Sequence, residues 1–211
     1  DTSTSLKIAG TDLSISQTTD YPNDGKIKIS LTPKKPSSFK VHLRIPTWAG
    51  NQFVPGKLYK YVNQKKESWS LTVNGSKTQA KVEKGFAIIE RKWKNGDQII
   101  LDLPMPLRIN KCDKRVEENH NRLAFTRGPF VLCAEEIDNG GATQRFFLNQ
   151  EKMETKYSLA KVKLPSGSFS QVKTMANAVN ESGGEEDKSL SLIPYYAWNN
   201  RKPGSMTIWF P

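Results

Sequence analysis

The segment FKVHLRI, residues 39–45, alternates apolar and polar side chains at every position from Phe39 to Ile45. Successive side chains of an extended strand point to opposite faces of a sheet, so the four apolar residues share one face and the three polar residues the other. A strand that buries one face and wets the other is typical of antiparallel sheets. The segment therefore predicts an antiparallel sheet that covers a core.

The same period of two recurs along the chain. Lys26 to Leu31 alternates without exception, and three further sets of apolar residues stand two positions apart. These sets are Trp69, Leu71 and Val73; Ile99, Leu101 and Leu103; and Met206, Ile208 and Phe210. Short strands at this spacing, with turn residues between them, predict an all-β fold, an antiparallel β-sandwich of jelly-roll-like type.

Two Asn-Gly pairs mark turns between predicted strands, because Asn and Gly tolerate the positive φ angles of a two-residue hairpin loop. Asn74-Gly75 predicts one hairpin. Asn95-Gly96 predicts a second, between GFAIIERKW, residues 85–93, and QIILDL, residues 98–103.

Two later segments lack this regularity. Phe146, Met153, Tyr157 and Ala160 fit one helical face, but for residues 142–160 we prefer irregular or strand structure to a short helix. Residues 177–189 are polar and contain two glycines, which predicts a mobile loop.

The composition limits the classes of function. The 211 residues carry a net charge of +11, but the basic residues are scattered and accompany no recognition-helix pattern, so we expect no nucleic acid partner. No apolar run approaches the ~20 residues of a membrane-spanning helix, so we expect no membrane partner. The chain begins at Asp1 with no leader-like segment, and we therefore expect a piece of a longer protein.

The residues that could carry chemistry form no recognisable constellation. His42 and His120 lack partners at metal-ligand spacing, and the acidic residues around Glu135 are expected to sit in water at a strand end, so we predict no metal, no cofactor and no catalytic residue. Cys112 and Cys133 allow one disulfide, but we prefer two free thiols.

The closing segment IPYYAWNNRKPGSMTIWFP, residues 193–211, holds the candidate site residues. We expect Ile208 and Phe210 to face the core and residues 201–204 to form a turn. Aromatic side chains with a polar tip suit half-wet interfaces. Ligand binding or an interdomain contact is therefore expected for five residues: Tyr195, Tyr196, Trp198, Asn199 and Arg201.

Five segments, in this order, resemble the C-terminal β-rich part of the β-L-arabinofuranosidase family of glycoside hydrolases, a group formerly catalogued in bacteria as a domain of unknown function. They are LRIPTWAG (43–50), VNG (73–75), GFAIIERKWKNGDQIILDLPMPLRI (85–109), RLAFTRGPFVLCAEEIDN (122–139) and the closing segment. The resemblance implies a main sandwich of residues 1–139 completed by 192–211, and a small β-rich or irregular insertion of residues 140–191.

The resemblance also implies what this chain lacks. In such enzymes an N-terminal (α/α)₆ barrel carries a cysteine nucleophile and a zinc ion, and no segment here matches it. We therefore expect a non-catalytic accessory region whose partner is the catalytic domain of the same polypeptide. The alternatives are a carbohydrate-binding module that uses exposed aromatics on plant-type or other glycans, and a polyanion binder. A bacterial glycan-degrading parent favours a periplasmic or secreted location.

Overall fold

The computed structural model describes residues 1–50, 52–62, 68–141, 143–149, 156–164 and 167–211. The architecture is all-β, and every strand pairing is antiparallel, as predicted. The chain divides into two compact units, the first comprising Asp1–Gly50 with Lys65–Met105 and the second Asn51–Gln64 with Pro106–Pro211.

The strands are short and follow one another with few helical interruptions. In chain order they are β1 Thr2–Ile8, β2 Thr11–Thr19, β3 Lys26–Pro33, β4 Ser37–Arg44, β5 Tyr59–Tyr61, β6 Ser70–Val73, β7 Ser76–Lys77, β8 Lys81–Glu83, β9 Phe86–Trp93, β10 Asp97–Asp102, β11 Leu107–Cys112, β12 Leu123–Arg127, β13 Phe130–Glu135, β14 Phe146–Phe147, β15 Tyr157–Leu164, β16 Gly167–Val179, β17 Glu185–Pro194, β18 Met206–Thr207 and β19 Trp209–Phe210.

The helical segments are all shorter than two turns. One α-helix, α1, covers Glu136–Asn139, and 3₁₀ turns cover Thr47–Ala49, Glu117–Asn119, Thr143–Arg145 and Tyr195–Ala197. None of the helices in the described part of the chain is long and apolar enough to span a membrane.

The first unit contains a six-stranded sheet, in the order β1-β2-β3-β10-β6-β7, and a three-stranded sheet, in the order β4-β9-β8. The predicted alternation is confirmed in β4, where Phe39 and Leu43 are buried and Lys40 and His42 are exposed. Trp93, at the end of β9, is fully buried, and its indole N–H donates to the Phe39 carbonyl at 2.9 Å. This bond satisfies the one polar atom of an otherwise apolar side chain.

The two Asn-Gly turns behave differently. Asn74 and Gly75 both have positive φ, 51° and 79°, and they close the predicted β6–β7 hairpin. At the second turn only Gly96 has positive φ, 84°. A two-residue hairpin of the common type needs positive φ at both central residues.

The hairpin predicted at Asn95-Gly96 is therefore wrong. The chain leaves β9, which pairs with β4 and β8, and enters β10, which pairs with β3 and β6 in the other sheet. The turn thus connects two sheets instead of two neighbouring strands.

Asp97 stabilises the turn between β9 and β10. Its carboxylate accepts the Lys94 N–H at 2.9 Å and the Asn74 side-chain amide at 2.8 Å. The side-chain oxygen of Asn74, Oδ1, in turn accepts the backbone N–H of Gln98 at 2.8 Å. Burial alone would raise the pKa of Asp97, but these hydrogen bonds, with Lys94 and Arg91 nearby, lower it below its usual value.

The second unit contains one large sheet, with the path β14-β16-β17-β13-β12-β11-β5 and with β15, β18 and β19 paired to β16, β13 and β12. Its core includes Phe125, Leu132, Val172 and Phe210, all at most 2% exposed. Phe210 confirms the expected core position, and Ile208 packs partly buried against a neighbouring cluster.

Within residues 140–191, β16 and most of β17 extend the sheet that contains β11 to β13. The division expected at residues 139 and 192 stays a prediction. Asn139 ties α1 to β17, since its side-chain nitrogen donates to the carbonyls of Glu135 and Ser191 and its oxygen accepts the Ser191 N–H.

The loop predicted for residues 177–189 is wrong over most of its length. β16 continues to Val179 and β17 begins at Glu185, and the five residues between them form the turn. Polar residues occupy the first five positions of β17, which are largely exposed, whereas Ala178 near the end of β16 is buried. For residues 142–160, irregular or strand structure is preferred to a helix from the sequence, and Tyr157 lies in strand β15. Met153 lies outside the described residues.

We predict that Asp97→Ala lowers the free energy of unfolding by about 1–3 kcal/mol, since it leaves two donors without their acceptor. Because the pKa of Asp97 is lowered in the folded state, its contribution is present above the unfolded value of about 3.9 and is lost as the pH falls through the folded value. Urea unfolding at pH 7, 5 and 3 should show the difference from wild type shrinking at the lowest pH.

Asp102→Ala is the matched control, because it removes an exposed carboxylate from the same strand. It should change stability by less than about 0.5 kcal/mol. Equal losses in the two variants, or a pH-independent loss at Asp97, would contradict the role given to the Asp97 hydrogen bonds.

Candidate functional site

The aromatic residues of the closing segment stand on a 3₁₀ turn directly after β17. Pro194 ends the strand because it has no amide hydrogen to donate. The Trp198 N–H then donates to the Tyr195 carbonyl at 3.1 Å. Within the turn Ala197 is fully buried, so the residues on either side of it point outward.

Three aromatic side chains are exposed at this turn. Tyr195, Tyr196 and Trp198 are 45%, 59% and 39% exposed, and we call them the aromatic surface. The rings of Tyr195 and Trp198 are nearly parallel, at 10°, with centroids 6.0 Å apart. Tyr196 packs at 5.3 Å from the half-buried ring of Phe130. Large apolar groups clustered on a surface mark an interaction site more often than single exposed residues do.

The aromatic surface is anchored on an ion-pair cluster formed by Arg201, Glu135 and Asp138. Arg201 pairs with both carboxylates, and its Nη1 donates to Asp138 Oδ1 at 2.8 Å. The side chains are 16%, 4% and 12% exposed respectively, so the three charges are largely withdrawn from water. The guanidinium also lies over the Phe169 ring, 5.6 Å from its centroid.

Asn199 connects the cluster to the aromatic surface. Its backbone N–H donates to Glu135 Oε1 at 2.7 Å, and its φ of 62° is a left-handed conformation that Asn tolerates better than most residues. Hydrogen bonds with Asp138 raise the pKa of Arg201 above its usual value, and those with Glu135 act in the same direction. Arg201 therefore stays charged at any physiological pH.

The structure thus brings the five candidate residues together in two roles. Three of them form the exposed aromatic surface, while Arg201 and Asn199 bind the carboxylates that support it. Arg201 is largely buried, because its guanidinium pairs with Glu135 and Asp138 inside the second unit.

The interpretation of the acidic residues as solvated was wrong for Glu135, which is 3% exposed. Its partner Arg201 stands 66 positions away, and no local sequence pattern could reveal that pairing. Glu136 accepts the backbone N–H and the hydroxyl of Ser205, both at 3.0 Å, and this lowers its pKa. These carboxylates are therefore engaged by protein groups.

Both cysteines are free thiols, as preferred from the sequence. Burial, followed by the nearby Glu135 carboxylate, raises the pKa of Cys133 to about 12, so it stays protonated at neutral pH. A buried thiol of this kind is inert. The thiol of Cys112 donates to the Asn119 carbonyl at 2.9 Å. No group of His, Cys, Asp and Glu suited to a metal ion occurs among the residues that the structure describes.

We predict that Arg201→Met lowers the free energy of unfolding by about 3–5 kcal/mol, because it leaves two buried carboxylates without a partner. Arg145→Met is the control, since the Arg145 guanidinium is half exposed and lies 4.0 Å from Glu181, which is almost fully exposed. It should cost less than about 1 kcal/mol. Urea unfolding of both variants measures the difference, and similar losses would refute the structural importance of the cluster.

Comparison with known proteins divides the chain at nearly the same place, except that Asn51–Gln64 belongs to the second unit and falls within the first family match. Residues 2–105 match the family model for the β-L-arabinofuranosidase GH127 middle domain, and residues 107–211 match the glycoside hydrolase family 127 C-terminal domain. The boundary between the two matches falls where the first unit ends, at Met105.

Several characterised relatives are similar over nearly the whole chain. A non-reducing end β-L-arabinofuranosidase of Bifidobacterium longum subsp. longum is 27% identical over 93% of this chain and 30% of its own length. Two solved structures each align with 99% of the chain. A GH127 β-arabinofuranosidase shows 34% identity and a TM-score of 0.89 over 33% of its length, and a GH127 β-L-arabinofuranosidase from Geobacillus stearothermophilus T6 shows 28% identity and 0.81 over 32%.

The chain therefore spans about a third of the length of these relatives. Both of its units are accounted for by consecutive domains of one family, and the structural match extends over the same residues. This chain belongs to glycoside hydrolase family 127, of which it comprises the middle and C-terminal domains.

Proposed function

We propose that this chain is the non-catalytic β-sandwich region of a larger family 127 enzyme, and that it packs on and positions an N-terminal (α/α)₆ catalytic barrel in the same polypeptide. The observation that carries the proposal is the aromatic surface. Tyr195, Tyr196 and Trp198 are exposed together, and the part of the chain described here offers nothing that covers them.

The aromatic surface has the properties of an interface. Tyr and Trp are enriched at the buried centres of protein interfaces, where a large ring and a polar tip contribute contact area and a hydrogen bond. A preformed surface loses little conformational entropy on binding. The aromatic surface is held in place before binding, because the Asn199 N–H donates to Glu135 and Glu135 pairs with Arg201.

The chemistry of the described residues supports an accessory role. The buried carboxylates of Glu135 and Asp138 are bound by Arg201, and a glycosidase carboxylate must instead be free to donate or accept a proton at the sugar. Cys133 is held as a buried thiol, and a nucleophile must be an accessible thiolate. These groups are therefore assigned to stability and not to turnover.

Carbohydrate binding is the second candidate, and the paired rings of Tyr195 and Trp198 favour it. Each ring is more than a third exposed, and flat aromatic faces stack on the apolar C–H surfaces of sugars. This candidate needs the rings to be accessible in the complete enzyme, whereas the interdomain candidate needs them to be covered.

The test replaces Tyr196 and Trp198 together by alanine in the full-length polypeptide and in the 211-residue chain. In the full-length protein we expect a loss of more than about 2 kcal/mol of stability, because truncated interface anchors leave cavities. Activity on an aryl β-L-arabinofuranoside should fall with it. The 211-residue chain should lose about 1 kcal/mol or less, since within it these half-exposed rings make only surface contacts with Phe130 and Tyr195 among the described residues.

The matched control is Leu159→Ala with Met175→Ala, which removes two equally exposed apolar side chains from β15 and β16. It should leave both proteins unchanged. An unaltered full-length enzyme carrying the aromatic substitutions would refute the interdomain contact, and turnover by the 211-residue chain alone would refute the accessory role.

Isothermal titration of the 211-residue chain with neutral arabino-oligosaccharides tests the second candidate. Binding that Trp198→Ala abolishes, with the unfolding transition unchanged, would establish the carbohydrate site. Flat titrations would remove it and leave the interdomain contact untouched.

A further inference from the structure

A cleft in the second unit collects positive charge away from the aromatic surface. It has a volume of about 280 Å³ and is formed where β5 and β11 meet the segment before β12. We call it the basic cleft, and its cationic lining residues are Lys57, Lys60, Lys111, Lys114 and Arg122.

The cations of the basic cleft lack close ionic partners in the part of the chain that the structure describes. Among the described residues, none of the five cations forms an ion pair. Asp113 also lines the cleft, but its carboxylate is engaged by Arg115, whose Nε donates to it at 2.8 Å. That hydrogen bond and the Arg115 N–H lower the pKa of Asp113, so it stays ionised and paired.

Two of the lysines face each other directly. Lys60 on β5 and Lys111 on β11 are cross-strand partners in the antiparallel register. Like charges placed directly opposite each other destabilise a sheet. Lysines on an edge strand protect it against mispairing, which accounts for Lys60 on β5, but Lys111 lies on an interior strand between β5 and β12. A bound anion in the cleft would neutralise the repulsion between Lys60 and Lys111, and we therefore interpret this pair as part of an anion-binding site.

A second groove adjoins the basic cleft and shares Arg122 with it. Its volume is about 460 Å³, and half of its lining residues are apolar, among them Trp209, Ile208 and Pro211. Trp209 is held by Tyr59, whose ring centroid lies 6.0 Å away. A cationic recess next to a fixed indole is suited to a ligand that combines negative groups with a flat apolar face.

We propose that the basic cleft and this groove bind an acidic oligosaccharide, with its carboxylates at the lysines and Arg122 and one sugar face against Trp209. A uronic acid chain carries a carboxylate on each sugar and C–H groups on the sugar face, which matches both halves of the site. Arg122 lies where the two halves meet and can bind a carboxylate through two N–H groups. The proposal is independent of the role assigned to the aromatic surface.

The experiment titrates the 211-residue chain with tetragalacturonate by calorimetry at 50 mM NaCl. We expect binding in wild type, at least tenfold weaker binding in the Lys60→Ala/Lys111→Ala variant, and severalfold weaker binding in wild type at 300 mM NaCl, since exposed charges are screened by salt. The control variant Lys161→Ala/Lys163→Ala removes the same charge from exposed positions of β15 and should bind within twofold of wild type.

Thermal unfolding separates binding from a purely structural effect. Without ligand, Lys60→Ala/Lys111→Ala should melt at or above the wild-type temperature, because a repulsion is removed. Tetragalacturonate should raise the melting temperature of wild type and of the control but not of this variant. Trp209→Ala should weaken binding severalfold without changing the salt dependence.

Four results would overturn the proposal. They are no heat of binding in wild type, equal weakening in the two lysine variants, binding of neutral xylotetraose as tight as that of tetragalacturonate, and binding of inorganic phosphate or duplex DNA as tight as that of tetragalacturonate. The last would identify a general polyanion surface instead of a sugar site.

Discussion

Burial of every second side chain is the constraint on which this molecule depends. In β4, a shift of one position would carry Phe39 and Leu43 into water and Lys40 and His42 into the core. That cost fixes the register of the strand against β9, and with it the position of Trp93, whose indole reaches the Phe39 carbonyl. The same rule places Phe210 in the second unit, so the closing segment is anchored on both sides of the aromatic surface.

The strands and the fold class follow from local patterns, because the side-chain period and the turn chemistry are both local. The sheet partners do not. The pairs Asn74-Gly75 and Asn95-Gly96 have the same composition, but the first closes a hairpin and the second connects two sheets. The φ angle is positive at Asn74 and not at Asn95, and Asp97 accepts hydrogen bonds from Lys94 and Asn74 beside the second turn. In the same way, residues 177–189 are polar enough for a loop yet extend two strands, because the pairing of β16 with β17 continues to Val179 and Glu185 and Ala178 is buried near its end.

The candidate site was predictable in part for the same reason. Exposed Tyr195, Tyr196 and Trp198 follow from aromatic residues beside turn-forming ones. The ion-pair cluster under them depends on residues 63 and 66 positions apart and could not be read from spacing. The basic cleft escaped prediction because its charges come from separate segments and meet only when β5 pairs with β11. Basic residues that are scattered along the sequence thus meet in one cleft.

The hydrogen bonding of the side-chain amides in the Asn-Gly pairs also affects how readily they deamidate. Asn followed by Gly is prone to deamidation, because the glycine nitrogen can attack the amide carbon when the backbone is free to bend. Asn139, which precedes Gly140, is buried, and the nitrogen and oxygen of its side-chain amide both form hydrogen bonds with the backbone of Ser191. The side-chain amide of Asn74 is similarly bound by Asp97 and Gln98. Asn95 is exposed, and its side chain makes no hydrogen bond to any described residue. Of these three residues, Asn95 is therefore expected to deamidate first on storage, in the turn that connects the two sheets of the first unit.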